Sequence, residues 1–165
     1  WNADGFRSPS MIHNLDWHCK LNINYDTSTF DTDPFEPQSE GLNTIFPLKY
    51  EHSEFKDKYK GFIELPYTLP QDFNLFILLR EKNINIWKKK IDWLAEKGGM
   101  ALHISHPDYM NFGDEANKPE QYPYEYYKEF LLYVKEKYEN SYWHALPKDV
   151  ANFAKEQYNK SKKSQ

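Results

Sequence analysis

Apolar positions with helical spacing mark three segments of the chain. The clearest ends at Gly98 and has its apolar positions three and four residues apart, at Ile84, Trp87, Ile91 and Leu94. A longer helix is predicted over residues 127–138 from its apolar and aromatic positions. A last helix is predicted to begin at Pro147. Its inward face is predicted to consist of Val150, Phe153, Ala154 and Tyr158.

Two shorter helices are predicted from capping and breaking signals. Ser10 can cap a helix near the N-terminus, because a serine side chain accepts a hydrogen bond from a free backbone N–H. The inner face of that helix would consist of Ile12, Leu15 and Cys19. A short helix is also predicted to start near Pro70 in "LPQDFNLFILLREKN".

Short apolar runs between these helices predict strands. They are "LNINYDTST", "TIFPLKY", "GFIELPYT" and, as the clearest buried strand, "MALHIS". Helices separated by short strands predict an α/β fold with a mostly parallel sheet or barrel. The length predicts a single domain over residues 1–160, followed by a polar tail over residues 161–165.

Composition excludes several classes of protein. The net charge of −4 argues against a nucleic-acid partner, which usually requires a basic patch. No apolar run approaches the roughly 18 residues that span a bilayer. The single cysteine, Cys19, excludes an internal disulfide and a cysteine-based zinc site.

Polar residues follow the predicted strands, where α/β folds place their ligands. These candidates are Arg7, Asp26, Asp31, Glu64 and His106. A carboxylate can orient an imidazole, and an arginine can hold an anionic group, so together they suit general acid–base chemistry. The alternative is that these residues only keep the strand ends soluble.

The two histidines of "HISH" are predicted to have different surroundings. Residues three apart on a strand point to opposite faces, so His103 and His106 are not expected to bind one metal ion. His103 is predicted to be a core residue that hydrogen-bonds to the backbone, and His106 to be the chemical group.

The loop "ELPYTLPQDF" combines two prolines, acidic residues and aromatic residues after a strand. Such a constrained loop is typical of a pocket rim. The residues predicted to form that rim are Phe35, Tyr67, Phe73 and Tyr109, whereas most other aromatic residues are predicted to lie in the core.

Several of these stretches together resemble the polysaccharide deacetylase family, whose members carry the NodB homology domain of carbohydrate esterase family four. "GFRSPS" resembles the Arg-x-Pro motif of that family, and "HISHPDYM" resembles its closing histidine motif. "YDTSTFDTDPFEP" and "ELPYTLPQDF" are similar to segments of a prokaryotic branch. The resemblance runs over most of the chain in the same order.

The resemblance implies the C-terminal part of an irregular (β/α) barrel that removes N-acetyl groups from a cell-surface or exported glycan. In that family a divalent metal ion, commonly zinc, polarises the acetyl group, an aspartate is the base, and a histidine protonates the leaving amine. By position, His106 would be the general acid, and Arg7 would hold the catalytic aspartate. Ile104 would line the acetyl-methyl pocket, and either Asp31 or Asp26 would orient His106.

Two family motifs have no counterpart in this chain. They are the Thr-Phe-Asp-Asp-type motif, which carries the base and one metal ligand, and the His-x-x-x-His motif, which carries two more ligands. The base and the metal site are therefore expected upstream of this chain, on a missing N-terminal segment or on a separate chain. Two alternatives stay open: a remnant that binds glycan without hydrolysing it, and a structural or interaction module of the same fold.

Overall fold

The computed structural model describes residues 3–38, 40–113 and 118–163. The chain divides into two compact units. Unit 1 comprises Trp1–Thr68 together with His144–Gln165, and unit 2 comprises Leu69–Trp143. A single domain over residues 1–160 stays a prediction, since two compact units can belong to one domain.

The regular elements are short strands and four α-helices. The strands are β1 (Gly5–Phe6), β2 (Tyr25–Asp26), β3 (Leu48–Tyr50), β4 (Phe62–Glu64), β5 (Met110–Asn111) and β6 (Tyr122–Pro123). The helices are α1 (Leu15–His18), α2 (Asn85–Lys97), α3 (Tyr124–Lys137) and α4 (Pro147–Lys163), with a π-helical segment at Phe73–Leu78. Among the described residues, no helix is long and apolar enough to cross a membrane.

Unit 1 is built on a four-stranded sheet in the order β1-β2-β4-β3. The first three strands in that order are parallel, and β3 runs antiparallel to β4. All three residues of β4 are buried, which fits a strand covered on both faces. The predicted α/β class with a mostly parallel sheet is confirmed, and the described strands form no closed barrel.

Helix α4 packs against β2, β3 and β4 of unit 1. Ala151 and Ala154 are buried at this contact, and their small side chains let the helix approach the sheet closely. The helix begins at Pro147 as predicted. Phe153 is 54% exposed, so its predicted inward orientation is wrong: the alanines beside it take the inward positions.

The predicted N-terminal helix capped by Ser10 is wrong. Ser10 has a φ of 53° inside a 3₁₀ turn, and Ile12 is 56% exposed instead of facing inward. The positive φ of Ser10 interrupts any helix at that point. Helix α1 starts later, where the side chain of Asn14 accepts a hydrogen bond from the backbone N–H of Trp17 at 3.1 Å.

Unit 2 packs α2 against α3. The inward residues of α2 are those predicted from the helical spacing, and Trp87 is fully buried with its indole N–H donating to Pro70 O at 2.7 Å. Gly98 ends the helix at a φ of 66°, which glycine adopts without steric cost. The short helix predicted near Pro70 is the π-helical segment.

The predicted strand "MALHIS" is wrong, because residues 100–106 have no regular secondary structure. The backbone N–H of Leu69 donates to Leu102 O at 3.4 Å, but no strand forms. The apolar character of the run reflects burial, as Ile104 is 8% exposed. A short apolar run cannot by itself separate a strand from other buried segments.

Candidate functional site

A buried carboxylate, Asp72, lies at the centre of the first candidate site, in unit 2. Its side chain is fully buried at the start of the π-helical segment. Oδ1 accepts hydrogen bonds from Phe73 N at 2.8 Å and from His106 Nδ1 at 2.7 Å. Oδ2 accepts from His106 N at 2.6 Å and from the hydroxyl of Tyr122 at 2.9 Å. Four donors therefore converge on one carboxylate, and both of its oxygens have partners.

His106 is held by this carboxylate at one ring nitrogen only. Because Asp72 is the acceptor, Nδ1 carries the hydrogen, and Nε2 is the nitrogen that can take up or release a proton. The His106 side chain is 37% exposed, so a ligand in solvent can reach the ring. Tyr109 packs 5.4 Å from the imidazole and 5.3 Å from the ring of Phe73.

The carboxylate that orients His106 is thus Asp72, not Asp26 or Asp31. It comes from the loop "LPQDF", which the sequence marks as constrained but not as the source of this carboxylate. Two local features bring its partners together. Leu69 N bonds Leu102 O before the histidine segment, and Met110 pairs with Tyr122 after it.

His103 lies in an aromatic environment. Its ring contacts Trp87 at 4.6 Å, Phe130 at 5.4 Å and Tyr127 at 5.9 Å. Nε2 is buried with no hydrogen-bond partner among the described residues, so the expected backbone bond is not made at this atom. Burial lowers the pKa of His103 to about 4, and the ring is therefore neutral at physiological pH. His103 therefore packs among aromatic residues of unit 2 with Nε2 buried, although the residue as a whole is half-buried.

The second candidate site lies at the carboxyl ends of the parallel strands of unit 1. Phe6, Asp26 and Glu64 are in register across β1, β2 and β4. Arg7 follows β1 directly, and its Nε donates to Thr27 Oγ1 at 2.9 Å. Three of the predicted strand-end residues, Arg7, Asp26 and Glu64, therefore meet at one sheet edge, whereas His106 belongs to unit 2.

Asp26 is fully buried and has a donor on each oxygen. His18 Nδ1 lies 2.6 Å from Oδ2, and the hydroxyl of Ser28 donates to Oδ1 at 2.7 Å. Ser28 also accepts a hydrogen bond from Ser8 N at 2.8 Å, which connects this edge to the residue after Arg7. The histidine that Asp26 orients is therefore His18.

Glu64 is also fully buried, but its two oxygens differ. Oε1 accepts from Thr29 N at 3.1 Å and from Thr29 Oγ1 at 2.5 Å, while Oε2 has no hydrogen-bond partner among the described residues. Burial, and next the nearby Asp26, raise the pKa of Glu64. Burial lowers the pKa of Arg7, an effect that Asp26 and Glu64 oppose.

The residues predicted to form a pocket rim have different environments. Tyr67 is 1% exposed, with its hydroxyl 2.7 Å from Asp33 Oδ2 and 2.8 Å from Glu36 Oε1, so it is a core residue of unit 1 and not a rim residue. Phe35, in unit 1, is 48% exposed.

Asp31, the other candidate carboxylate of unit 1, is 5% exposed, and its Oδ1 accepts a hydrogen bond from Thr32 N at 2.6 Å.

The resemblance places the ligands of its metal ion outside this chain, so the described residues are not expected to bind that ion by themselves. Within residues 3–38, 40–113 and 118–163, no group of three or more histidine, cysteine, aspartate or glutamate side chains could hold a metal ion. No chemical step through a metal ion is therefore derived for this chain. The described residues provide an oriented imidazole in unit 2 and, in unit 1, two buried carboxyl groups near Arg7.

Comparison with family models, with curated proteins and with solved structures returned no match for this chain.

Proposed function

We propose that this chain is part of a metal-dependent polysaccharide deacetylase that removes N-acetyl groups from a cell-surface or exported glycan. In this proposal the chain is the C-terminal part of an irregular (β/α) barrel. It contributes a general acid, His106, and an arginine, Arg7. The base and the ligands of a divalent metal, zinc in most of the family, would come from residues outside this chain.

The observation that carries the proposal is the environment of His106. Asp72 fixes Nδ1 at 2.7 Å, so the acid–base nitrogen is the other one, and the ring is partly exposed. A general acid requires a ring held in one tautomer with its second nitrogen accessible to the leaving group. In amide hydrolysis, Nε2 would donate its proton to the departing amine. Ile104, buried two residues before the acid, would line the acetyl-methyl pocket.

Arg7 supports the proposal through its anchoring. The bond from Nε to Thr27 is the one side-chain hydrogen bond of Arg7 among the described residues, and a planar guanidinium suits a carboxylate at two points. In the deacetylase that carboxylate would be the catalytic aspartate. Burial lowers the pKa of Arg7, and the nearby carboxylate of Asp26 opposes that effect.

A second candidate is a module that binds glycan without hydrolysing it. Unit 2 contains a groove of about 350 Å³ lined mainly by apolar and aromatic side chains, including Phe112, Tyr124 and Tyr127. Phe112 is 66% exposed and stacks on Tyr124 at 5.4 Å, which is the kind of surface on which sugar rings pack. This candidate requires neither a base nor a metal ion.

The test is acetate release from N-acetylated oligosaccharides by the protein that carries this chain together with the base and metal ligands. We expect His106→Ala to remove most turnover while bound metal and glycan affinity persist. The exposed His144 provides the control, since His144→Ala should leave turnover unchanged. Equal activity of the His106 variant would reject the deacetylase proposal.

Arg7→Lys tests the second residue. Lysine keeps the positive charge but lacks the planar fork, so turnover should fall while the chain still folds. Glycan binding without any acetate release, unaffected by either substitution, would instead favour the binding module.

A further inference from the structure

Two buried carboxyl groups lie side by side at the carboxyl ends of the central strands β2 and β4 in unit 1. Asp26 and Glu64 are register partners on the adjacent parallel strands β2 and β4, and both are fully buried. Neighbouring strands are about 4.8 Å apart, so two such side chains on one face lie close together. Two carboxylates at this separation, both ionised and out of contact with water, would repel each other.

The hydrogen-bond donors around the pair are unevenly distributed. Each oxygen of Asp26 has a donor, from His18 or Ser28. Oε1 of Glu64 has two donors, both from Thr29. Oε2 of Glu64 has none among the described residues, and a buried acceptor without a donor is costly. A hydrogen on Oε2 itself removes that cost, since Asp26 is the acceptor beside it.

We propose that Asp26 and Glu64 bind one proton between them, carried on Oε2 of Glu64 and directed at Asp26, and that this proton sets the charge of the sheet edge beside Arg7. With the proton bound, the guanidinium faces one anion at this edge. Loss of the proton adds a second buried anion and leaves Oε2 without a donor. The pair is therefore a pH-sensitive element of unit 1, and the argument for it does not depend on the deacetylase proposal.

The other groups around Glu64 fit this assignment. Arg7 lies near enough that both carboxyl groups oppose the lowering of its pKa by burial. On β3 the register partner of Glu64 is the apolar Leu48. Helix α4 presents the buried Ala151 and Ala154 to the sheet. The ring nitrogen Nδ1 of His18 bonds to Oδ2 of Asp26.

Two tyrosines also influence the pKa of Arg7. They are Tyr25, the residue before Asp26, and Tyr67, beyond the end of β4. Both act to raise the pKa of Arg7, against the larger effect of burial. A phenol is neutral at physiological pH. Neither tyrosine can carry a positive charge, and His18 bonds Oδ2 of Asp26, so none of these groups supplies a donor to Oε2 of Glu64.

Infrared spectroscopy of the unmodified chain tests the proposal directly. At neutral pH the spectrum should contain the carbonyl stretch of one protonated carboxylic acid. That band should shift when the glutamates are labelled with ¹³C, and should not shift when the aspartates are labelled. It should disappear as the pH is raised, with the loss of one proton. A spectrum without an acid band at neutral pH would overturn the proposal, and so would a band that shifts with aspartate labelling.

Variants assign the band to a residue. Glu64→Gln should abolish it, and Glu54→Gln, at an exposed glutamate of unit 1, should leave it unchanged. A band that persists in the Glu64 variant would overturn the assignment. If that variant does not fold, the isotope shift in the unmodified chain still decides.

Discussion

Asp72 in unit 2 and Glu64 in unit 1 are both completely buried carboxyl groups, yet their surroundings assign them different tasks. Asp72 receives four hydrogen bonds distributed over both oxygens. Glu64 receives two, both on Oε1, and its other oxygen has no donor among the described residues. The first environment suits a charged carboxylate, and the second suits a neutral acid.

This difference shows that burial alone does not determine whether an acidic side chain is protonated. Desolvation disfavours the charged form in both places, and donated hydrogen bonds oppose it. Where donors fill both oxygens, the carboxylate can fix an imidazole, as Asp72 fixes His106. Where one oxygen has no donor, the group retains its proton, as we propose for Glu64. Replacing each carboxyl group by an amide separates the two cases.

The largest effect is expected from Asp72→Asn. Whichever way the amide is turned, its NH₂ group faces a backbone N–H, of Phe73 or of His106, that cannot accept a hydrogen bond, and the remaining bonds are no longer made to a charged group. The free energy of unfolding should fall by about 3 kcal/mol. Urea unfolding measures it, with the exposed Asp108→Asn as control. A loss below about 0.5 kcal/mol, typical of a neutral surface substitution, would contradict the proposed role of the four donors.

Glu64→Gln should have the opposite sign at neutral pH. In the unfolded chain this glutamate ionises near its ordinary pKa of 4.5, whereas its pKa is raised in the folded state. The wild type therefore loses stability as pH rises from about 4.5 to the folded pKa. The amide cannot ionise, and it can direct an N–H at Asp26.

The stability of Glu64→Gln relative to wild type should therefore increase with pH above about 4.5, by up to about 1.4 kcal/mol per pH unit. Urea unfolding at a series of pH values measures this trend. The control, Glu54→Gln, should show no such trend. A difference that is independent of pH would mean that Glu64 is ionised in the folded protein.

Tyr122→Phe tests a single donor in the unit 2 cluster. Burial, and next Asp72, raise the pKa of Tyr122, so its hydroxyl stays protonated and donates. Losing this bond to Asp72 should cost about 1.5 kcal/mol, while the ring still packs 4.6 Å from Phe76. Tyr126→Phe, which loses a more exposed bond to Lys82 O, should cost less. An equal decrease in the free energy of unfolding in the two variants would indicate that the hydrogen bond from Tyr122 to Asp72 contributes no more to stability than an exposed one.

Much of unit 1 could be predicted from the sequence, because its strand ends follow a general rule. Polar residues after parallel strands converge at one edge, and Arg7, Asp26 and Glu64 do so. Helix α2 was equally predictable from its apolar spacing and the glycine that ends it. Both predictions depend on regular geometry that repeats from protein to protein.

The partner of His106 could not be predicted in the same way. Asp72 is 34 residues away in a loop, and no periodicity relates the two. The missing strand at residues 100–106 has a related cause, since an apolar run indicates burial but not backbone pairing. For Tyr67, a loop rich in proline suggested a position on a pocket rim. The residue is instead 1% exposed, and its hydroxyl donates to two carboxyl groups.

The smallest expected effect concerns Thr29, the donor to Oε1 of Glu64. Valine has the shape of threonine, so Thr29→Val keeps the packing and removes only the hydroxyl, while the backbone N–H still donates at 3.1 Å. The loss should be about 1 kcal/mol, as for a neutral hydrogen bond. Thr32→Val, at an exposed threonine of the same segment, should change stability by less than about 0.5 kcal/mol.

Thr29→Val also has a chemical consequence that separates the two regions. The hydroxyl of Thr29 lowers the pKa of Glu64, against the larger effect of burial. Its removal should therefore raise that pKa further, and the infrared band of the protonated acid should persist to higher pH than in the wild type. A band lost at lower pH would mean that Thr29 stabilises the neutral acid instead of the anion. In that case the donor count on Oε1 would not explain why Glu64 differs from Asp72.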